Sequence, residues 1–151
     1  MSLAMIRSGA NDLDAWGGRP SALESLLTEE IFAQATEEQG LSFFAAVGAR
    51  IAARHHLPEN AGLVELEVAI NHVWQELGLG RVALTMAPDG IAIDHQGGTG
   101  GGAARSEEWP RAAASMLQGA YAAWFQAIGG ATLSTRLVKQ TKDRIVLHHG
   151  L

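Results

Sequence analysis

Six histidines, sixteen carboxylates and one glycine-rich run are the features of this 151-residue chain with types suited to chemistry. His55 and His56 lie on a helical stretch, where neighbours point about 100° apart. His148 and His149 lie on an alternating stretch, where neighbours point to opposite faces. Neither pair can grip one ion. His72 and Glu76 stand four apart on a helix, which suits an exposed pair, and nothing marks a third ligand. Glu65 and Glu67 fall on different helix faces, so they are not a ready carboxylate pair for glycoside hydrolysis. Ser115 and Ser134 lack a nucleophile elbow. Cysteine is absent, which removes thiol catalysis, disulfides and thiolate metal sites. Gln96 to Arg105 reads QGGTGGGAAR, after a strand and before a helix. Gly98-Thr99-Gly100 resembles the start of a dinucleotide fingerprint, but Ala103 takes the third glycine position and the helix begins too late. No Gly-Lys-Ser/Thr follows. The reading is a loop without a nucleotide, and a protein with no metal, no cofactor and no enzymatic activity.

The elements that would position any site are better marked than the site. Trp109 to Gly129 leads into a run, Ala112 to Thr135, that carries no charge. Met116, Leu117, Ala120, Trp124 and Ile128 recur at spacings of three and four, one face of a helix. Membrane insertion is the competing reading, but a span wants about 20 predominantly apolar residues. Two glutamines and the Gly129-Gly130 stop make this a central helix with no membrane span. Its small residues, Gly119, Ala120 and Ala123, with Gly48 on an earlier helix, suit close approach of another helix or subunit.

Ser21 to Glu24 reads as a capping box opening a helix that runs to about Gln39, with Gly40 as its break. A second helix covers Leu41 to His56, with Phe44, Val47, Gly48, Ile51 and His55 on one face. Asn60 can cap a third, whose stripe is Leu63, Leu66, Ile70, Val73, Trp74 and Leu77, and Gly78 stands where a C-terminal glycine belongs. Val82, Leu84 and Met86 then alternate with polar or small residues. Pro88-Asp89-Gly90 is a turn, and Ile91, Ile93 and His95 share a face of the return strand. A last pair of strands, Ala131 to Lys139 and Arg144 to His149, is joined by residues 140–143. The order ααα-ββ-α-ββ predicts an α+β fold, helices packed on a four-stranded antiparallel sheet built from two hairpins. Residues 1–20 form a flexible arm and 21–151 a single domain. Net charge is −5 with scattered cations, which argues against nucleic-acid binding. Core packing accounts for Trp74, Trp109 and Trp124, whereas Trp16 sits in the polar arm with no periodic partner.

Three blocks resemble the D subunit of bacterial cellulose synthase. The first is Phe44-Ala45-Ala46-Val47-Gly48-Ala49-Arg50. The second runs from the Leu63–Leu77 helix through Gly78-Leu79-Gly80 to Val82, Leu84, Ile93 and His95. The third is Trp109, Leu117, Gly119, Tyr121 and Trp124, a Trp followed by Leu-x-Gly-x-Tyr-x-x-Trp. Together they cover about Phe43 to Ala131; the arm does not match, and the last hairpin matches only in character. The resemblance implies a non-catalytic protein that assembles as an octamer, a cylinder of dimers whose passages accept nascent β-1,4-glucan chains. It also implies other cellulose synthase subunits as partners. Family passages are lined by N-terminal segments, but this arm differs, so no binding residue carries over. Residue type alone nominates Trp16, Arg19, Asn11 and Asp14 for glucan contact. The alternative reading is a small-molecule-binding module, because helices on an antiparallel sheet can enclose an apolar pocket. The absence of an export signal favours the cytoplasm, with the periplasm, where family members have been placed, as the alternative.

Overall fold

Thr36 decides where the first two helices part. Its hydroxyl accepts the Gln39 N–H at 3.1 Å, and the Gln39 side chain accepts the Thr36 N–H at 3.0 Å. This reciprocal pair is a capping box. In the computed structural model, which describes residues 22–99, 107–129 and 132–151, helix α1 is Ala22–Gln34 and helix α2 is Glu37–Arg54. The break expected at Gly40 is therefore wrong: that glycine is buried inside α2, where a Cβ would lie 2.6 Å from a Phe32 ring carbon. Helix α2 also ends before His56, with His55 as its C-cap. Ser21, the arm residues Asn11, Asp14, Trp16 and Arg19, and the loop beyond Thr99 up to residue 106 lie outside the described residues.

Helix α3 spans Leu63–Leu77 and buries Leu66, Ile70, Val73 and Trp74. Its N-cap is Gly62 with no side-chain cap, not Asn60, which instead adopts a left-handed φ of 57°. Asparagine tolerates that conformation better than most residues. Gly78 ends the helix at φ 67°. The strands follow as β1 (Arg81–Ala87) and β2 (Gly90–Gln96), then helix α4 (Trp109–Gly129), then β3 (Ser134–Thr141) and β4 (Arg144–Gly150). Among the described residues this gives four helices and a four-stranded antiparallel sheet from two hairpins, in the order expected. The strands lie in the order β1-β2-β4-β3, so the hairpins join through β2 and β4. The second hairpin differs in detail from expectation. It starts at Ser134 and turns at Lys142-Asp143, because Val138 is an extra residue between Leu137 and Lys139. A bulge of that kind shifts the alternation by one and hides the strand's continuation to Thr141.

The core lies between the inner face of the sheet and the helices. Ile93, Ile145 and Leu147 from the sheet meet Trp74 of α3 and Leu117, Tyr121 and Phe125 of α4. A second cluster, Phe44, Trp109, Ala112, Ala113 and Met116, joins α2 to α4, with Ile31 and Phe32 of α1 against it. The last turn of α4 is exposed, so Ile128 lies outside the core despite sharing the helical stripe. No helix among the described residues is long and apolar enough to cross a membrane.

Candidate functional surfaces

The most polar part of the interior is a chain of three rings. Trp74 Nε1 donates to the Tyr121 hydroxyl at 2.8 Å, and that hydroxyl lies 2.7 Å from His95 Nδ1. His95 Nε2 lies 2.6 Å from the Leu79 carbonyl. A carbonyl can only accept, so Nε2 carries the proton and Nδ1 accepts from Tyr121. Each donor and acceptor has one partner, and all three rings are fully buried. Burial pushes the His95 pKa down to about 4 and holds the Tyr121 hydroxyl well above its usual range. The imidazole is neutral and closed to any substrate, so the chain of rings serves packing specificity rather than acid–base work. Strand alternation puts His95 on the inner face but does not reveal its partners. The available signal is its phase: a histidine in step with two isoleucines must be satisfied inside.

Several of the other candidates for chemistry also bond a neighbour. Ser115 Oγ donates to the Leu41 carbonyl at 2.6 Å. Glu67 Oε1 accepts the Leu84 N–H at 2.7 Å, while Glu65 is exposed. His72 and Glu76 form an exposed pair at 3.5 Å. His148 and His149 point to opposite faces of β4. His148 Nε2 bonds Asp89 at 2.9 Å; His149 Nδ1 lies 2.7 Å from Thr135 Oγ1, and its ring packs on Phe125. Burial, then the charge of His148, lowers the His149 pKa, and the His148 bond holds the Asp89 carboxyl below its ordinary value. Among the described residues no group of three or more His, Asp or Glu side chains is placed to hold a metal.

What the fold does arrange is close backbone contact. Gly48 of α2 faces α4 so tightly that a Cβ there would lie 1.8 Å from the Met116 carbonyl oxygen. Gly119 of α4 faces α2 in the same way, and its Cβ would lie 2.1 Å from the Ala45 carbonyl oxygen. Ala120 is buried in the crossing and Ala123 packs partly against the core. The two glycines thus meet opposite backbones at one helix crossing.

The tryptophans within the described fold present no ring to a ligand. Trp74, Trp109 and Trp124 are all buried, and each indole N–H has an acceptor: Tyr121, the Gly98 carbonyl and the His55 carbonyl. Exposed apolar side chains sit instead on outer faces, Leu23, Leu26 and Leu27 on α1, Phe43 on α2, and Val64 and Val68 on α3. A groove of about 610 Å³ runs beside the α2–α4 crossing, walled by Ala49, Ala53 and Ala127 and rimmed by the exposed His56, Glu59 and Asn60. The space between α4 and the sheet is occupied by Leu117, Tyr121 and Phe125 packed on Ile93, Ile145 and Leu147.

These surfaces can be set beside known proteins. Comparison with curated proteins gives no match. The family model for the D subunit of cellulose synthase matches residues 21–150, which takes in every helix and strand described above. The chain belongs to the cellulose synthase D-subunit family.

Proposed function

We propose that this protein is a non-catalytic accessory component of a cellulose synthase, a homo-octamer that organises and guides β-1,4-glucan chains during export and fibre assembly. The family match over residues 21–150 carries the reading. Other subunits of the synthase are its partners on the same ground. The state of the titratable groups supports a non-catalytic role, since the best-connected histidine is sealed behind Tyr121 and Trp74.

Glucan contact falls to the arm. Sugars stack on open aromatic faces, and three of the four tryptophans are buried with their N–H groups committed. Trp16 is the fourth, accompanied by Asn11, Asp14 and Arg19 as hydrogen-bonding groups. A chain that must pass through demands weak contacts, because tight binding would stall it. Several weak sites in one assembly still retain it through effective concentration.

The test uses the full chain, Trp16→Ala, and a chain lacking the residues before Pro20. Light scattering should give an octamer in all three cases. Binding of cello-oligosaccharides and the yield or order of cellulose in cells should fall in both variants. An arm-deleted protein that binds glucan and supports cellulose formation as well as the full chain moves the site elsewhere. A full-length monomer indifferent to glucan overturns the reading.

A further inference from the structure

The two edges of the sheet are finished differently. At the β1 edge, Asn71 of α3 accepts the Val82 N–H at 2.7 Å and donates to the Val82 carbonyl at 2.9 Å, while Glu67 takes the Leu84 N–H at 2.7 Å. At Val82 and Leu84 side chains do what a further strand would do, which makes that part of the edge a poor template for another chain. At the other edge β3 is outermost, and every residue from Arg136 to Thr141 is exposed. Thr141 and Arg144 flank the turn, so antiparallel alternation points the backbone groups of Ser134, Arg136, Lys139 and Thr141 at β4. Those of Thr135, Leu137 and Gln140 point outward. The Thr135 carbonyl accepts Gln118 Nε2 at 3.2 Å; those of Leu137 and Gln140 have no such cover among the described residues.

Next to this edge the helical layer is wider than the sheet. Helix α2 packs on α4 and on no described strand. Beneath it lies a groove of about 580 Å³ beside β3, floored by Leu41, Ser42, Ala45, Gly119 and Ala122 and closed at one side by Thr135. Its far lip carries Glu37 and Glu38. On the opposite face of the sheet β3 presents Arg136 and Lys139, and Lys142 follows in the turn, in a chain whose net charge is −5.

We propose that the β3 edge takes an extended acidic segment of another protein as a fifth strand. Strand addition of this kind draws its affinity from backbone hydrogen bonds and its selectivity from alternate side chains. Here the alternation is specified. Side chains turned toward α2 must be small or apolar, because the groove is shallow and lined by Leu41, Ala45, Gly119 and Ala122, with Glu38 at its lip and Glu37 paired to Arg111. Those turned to the other face meet Arg136 and Lys139, and must be acidic. A second copy of this chain fits poorly: antiparallel β3–β3 pairing centred on Leu137 and Val138 sets Arg136 opposite Lys139 twice, and like charges directly opposite destabilise a pair. The bulge at Val138 and the cations make the edge selective rather than generally sticky.

The probe is a capped octapeptide of alternating Val and Glu, compared with one of alternating Val and Lys, added to the full chain. Amide hydrogen exchange should slow at residues 135–140 with the acidic peptide only. Its affinity should fall roughly tenfold or more in the double variant Arg136→Glu, Lys139→Glu. Ser42→Trp, which fills the groove from an exposed position, should weaken it as well. Equal binding of the Lys peptide, or protection that maps away from β3, overturns the proposal. Protection of residues 135–140 that rises with protein concentration alone assigns the edge to a second copy, and the same protection from cellohexaose assigns it to glucan; either result also overturns it.

Discussion

Gly48→Ala puts one methyl group where the backbone of α4 already is. The added Cβ would lie 1.8 Å from the Met116 carbonyl oxygen and 2.8 Å from the Ala120 nitrogen. Neither atom can rotate away, so α2 and α4 must part by at least about 1.2 Å to bring the first contact to 3.0 Å. That movement loosens Phe44 and Ile51 against Met116 and the alanines of α4. Overpacking costs about 1–3 kcal/mol, sometimes more, and alanine returns about 1 kcal/mol of helix propensity. A clash of backbone against methyl belongs at the upper end, so the net loss is about 2 kcal/mol. The urea midpoint should drop by roughly 1 M and the melting temperature by roughly 4–8 °C. Gly119→Ala should behave alike, since its Cβ would lie 2.1 Å from the Ala45 carbonyl oxygen, and Gly119→Leu should lose more. Because one parting of the helices relieves both clashes, the double alanine variant should lose less than the sum of the two. Gly129→Ala is the control: its nearest neighbour, Leu133 Cδ1, is 3.7 Å away, an ordinary contact. A Gly48→Ala protein whose midpoint equals or exceeds the parent's, with an unchanged denaturant slope, would refute the packing argument.

Stability should fall with acid through His95. Its folded pKa, about 4, lies below the unfolded value of 6.5, so the unfolded chain takes the proton first. The stabilisation is complete above pH 6.5 and is lost as pH falls toward 4, by up to about 3 kcal/mol. Urea titrations between pH 7 and 4.5 should show the loss, and His95→Gln should flatten it. Asp94 and Asp89, whose carboxyls Arg144 and His148 hold below 3.8, act only in stronger acid. Asn71→Ala should cost about 1–3 kcal/mol by stripping both bonds from Val82, measured by the same unfolding; no loss would mean that water replaces the side chain freely. Titration calorimetry with ATP, NAD and cyclic dinucleotides should give no saturable heat, and binding abolished by shortening residues 97–102 would contradict the loop reading.

Periodicity makes most of the architecture legible because it depends on burial alone. The α3 stripe and the alternation of β1 and β2 each follow from one face meeting one core, and there the expected and observed bounds agree closely. The misses occur where a local hydrogen bond overrides pattern. Gly40 has the propensity of a breaker, but Thr36 and Gln39 have already closed the helix end, and a glycine within α2 is needed for Phe32 to pass. Asn60 has the side chain of a cap, but its value at that position is the left-handed conformation it tolerates. Val138 shifts the register of β3 without leaving any mark in composition.

The candidate surfaces are harder to read because they consist of what is missing from side chains. A catalytic site announces itself by residue type; a helix crossing announces itself by glycine, and an open strand by the absence of a partner elsewhere in the fold. Asn71 and Glu67 illustrate the difficulty. On the sequence they are ordinary polar residues of α3, and only the position of β1 beside them turns them into a cover for its edge. The edge of β3 has less cover: α4 reaches its backbone through Gln118, and its other bond to the strand, from the Gln140 side chain to the Pro110 carbonyl, leaves the edge backbone open. That asymmetry depends on the strand order β1-β2-β4-β3, because without it either hairpin has an equal claim to the outside. Exposure of Arg136, Lys139 and the bulged Val138 on one edge, against side-chain cover at Val82 and Leu84 on the other, is therefore a property of the fold. The buried histidine chain has no such opening, so the rim of β3 is the part of the described fold to which the strand-addition proposal is confined.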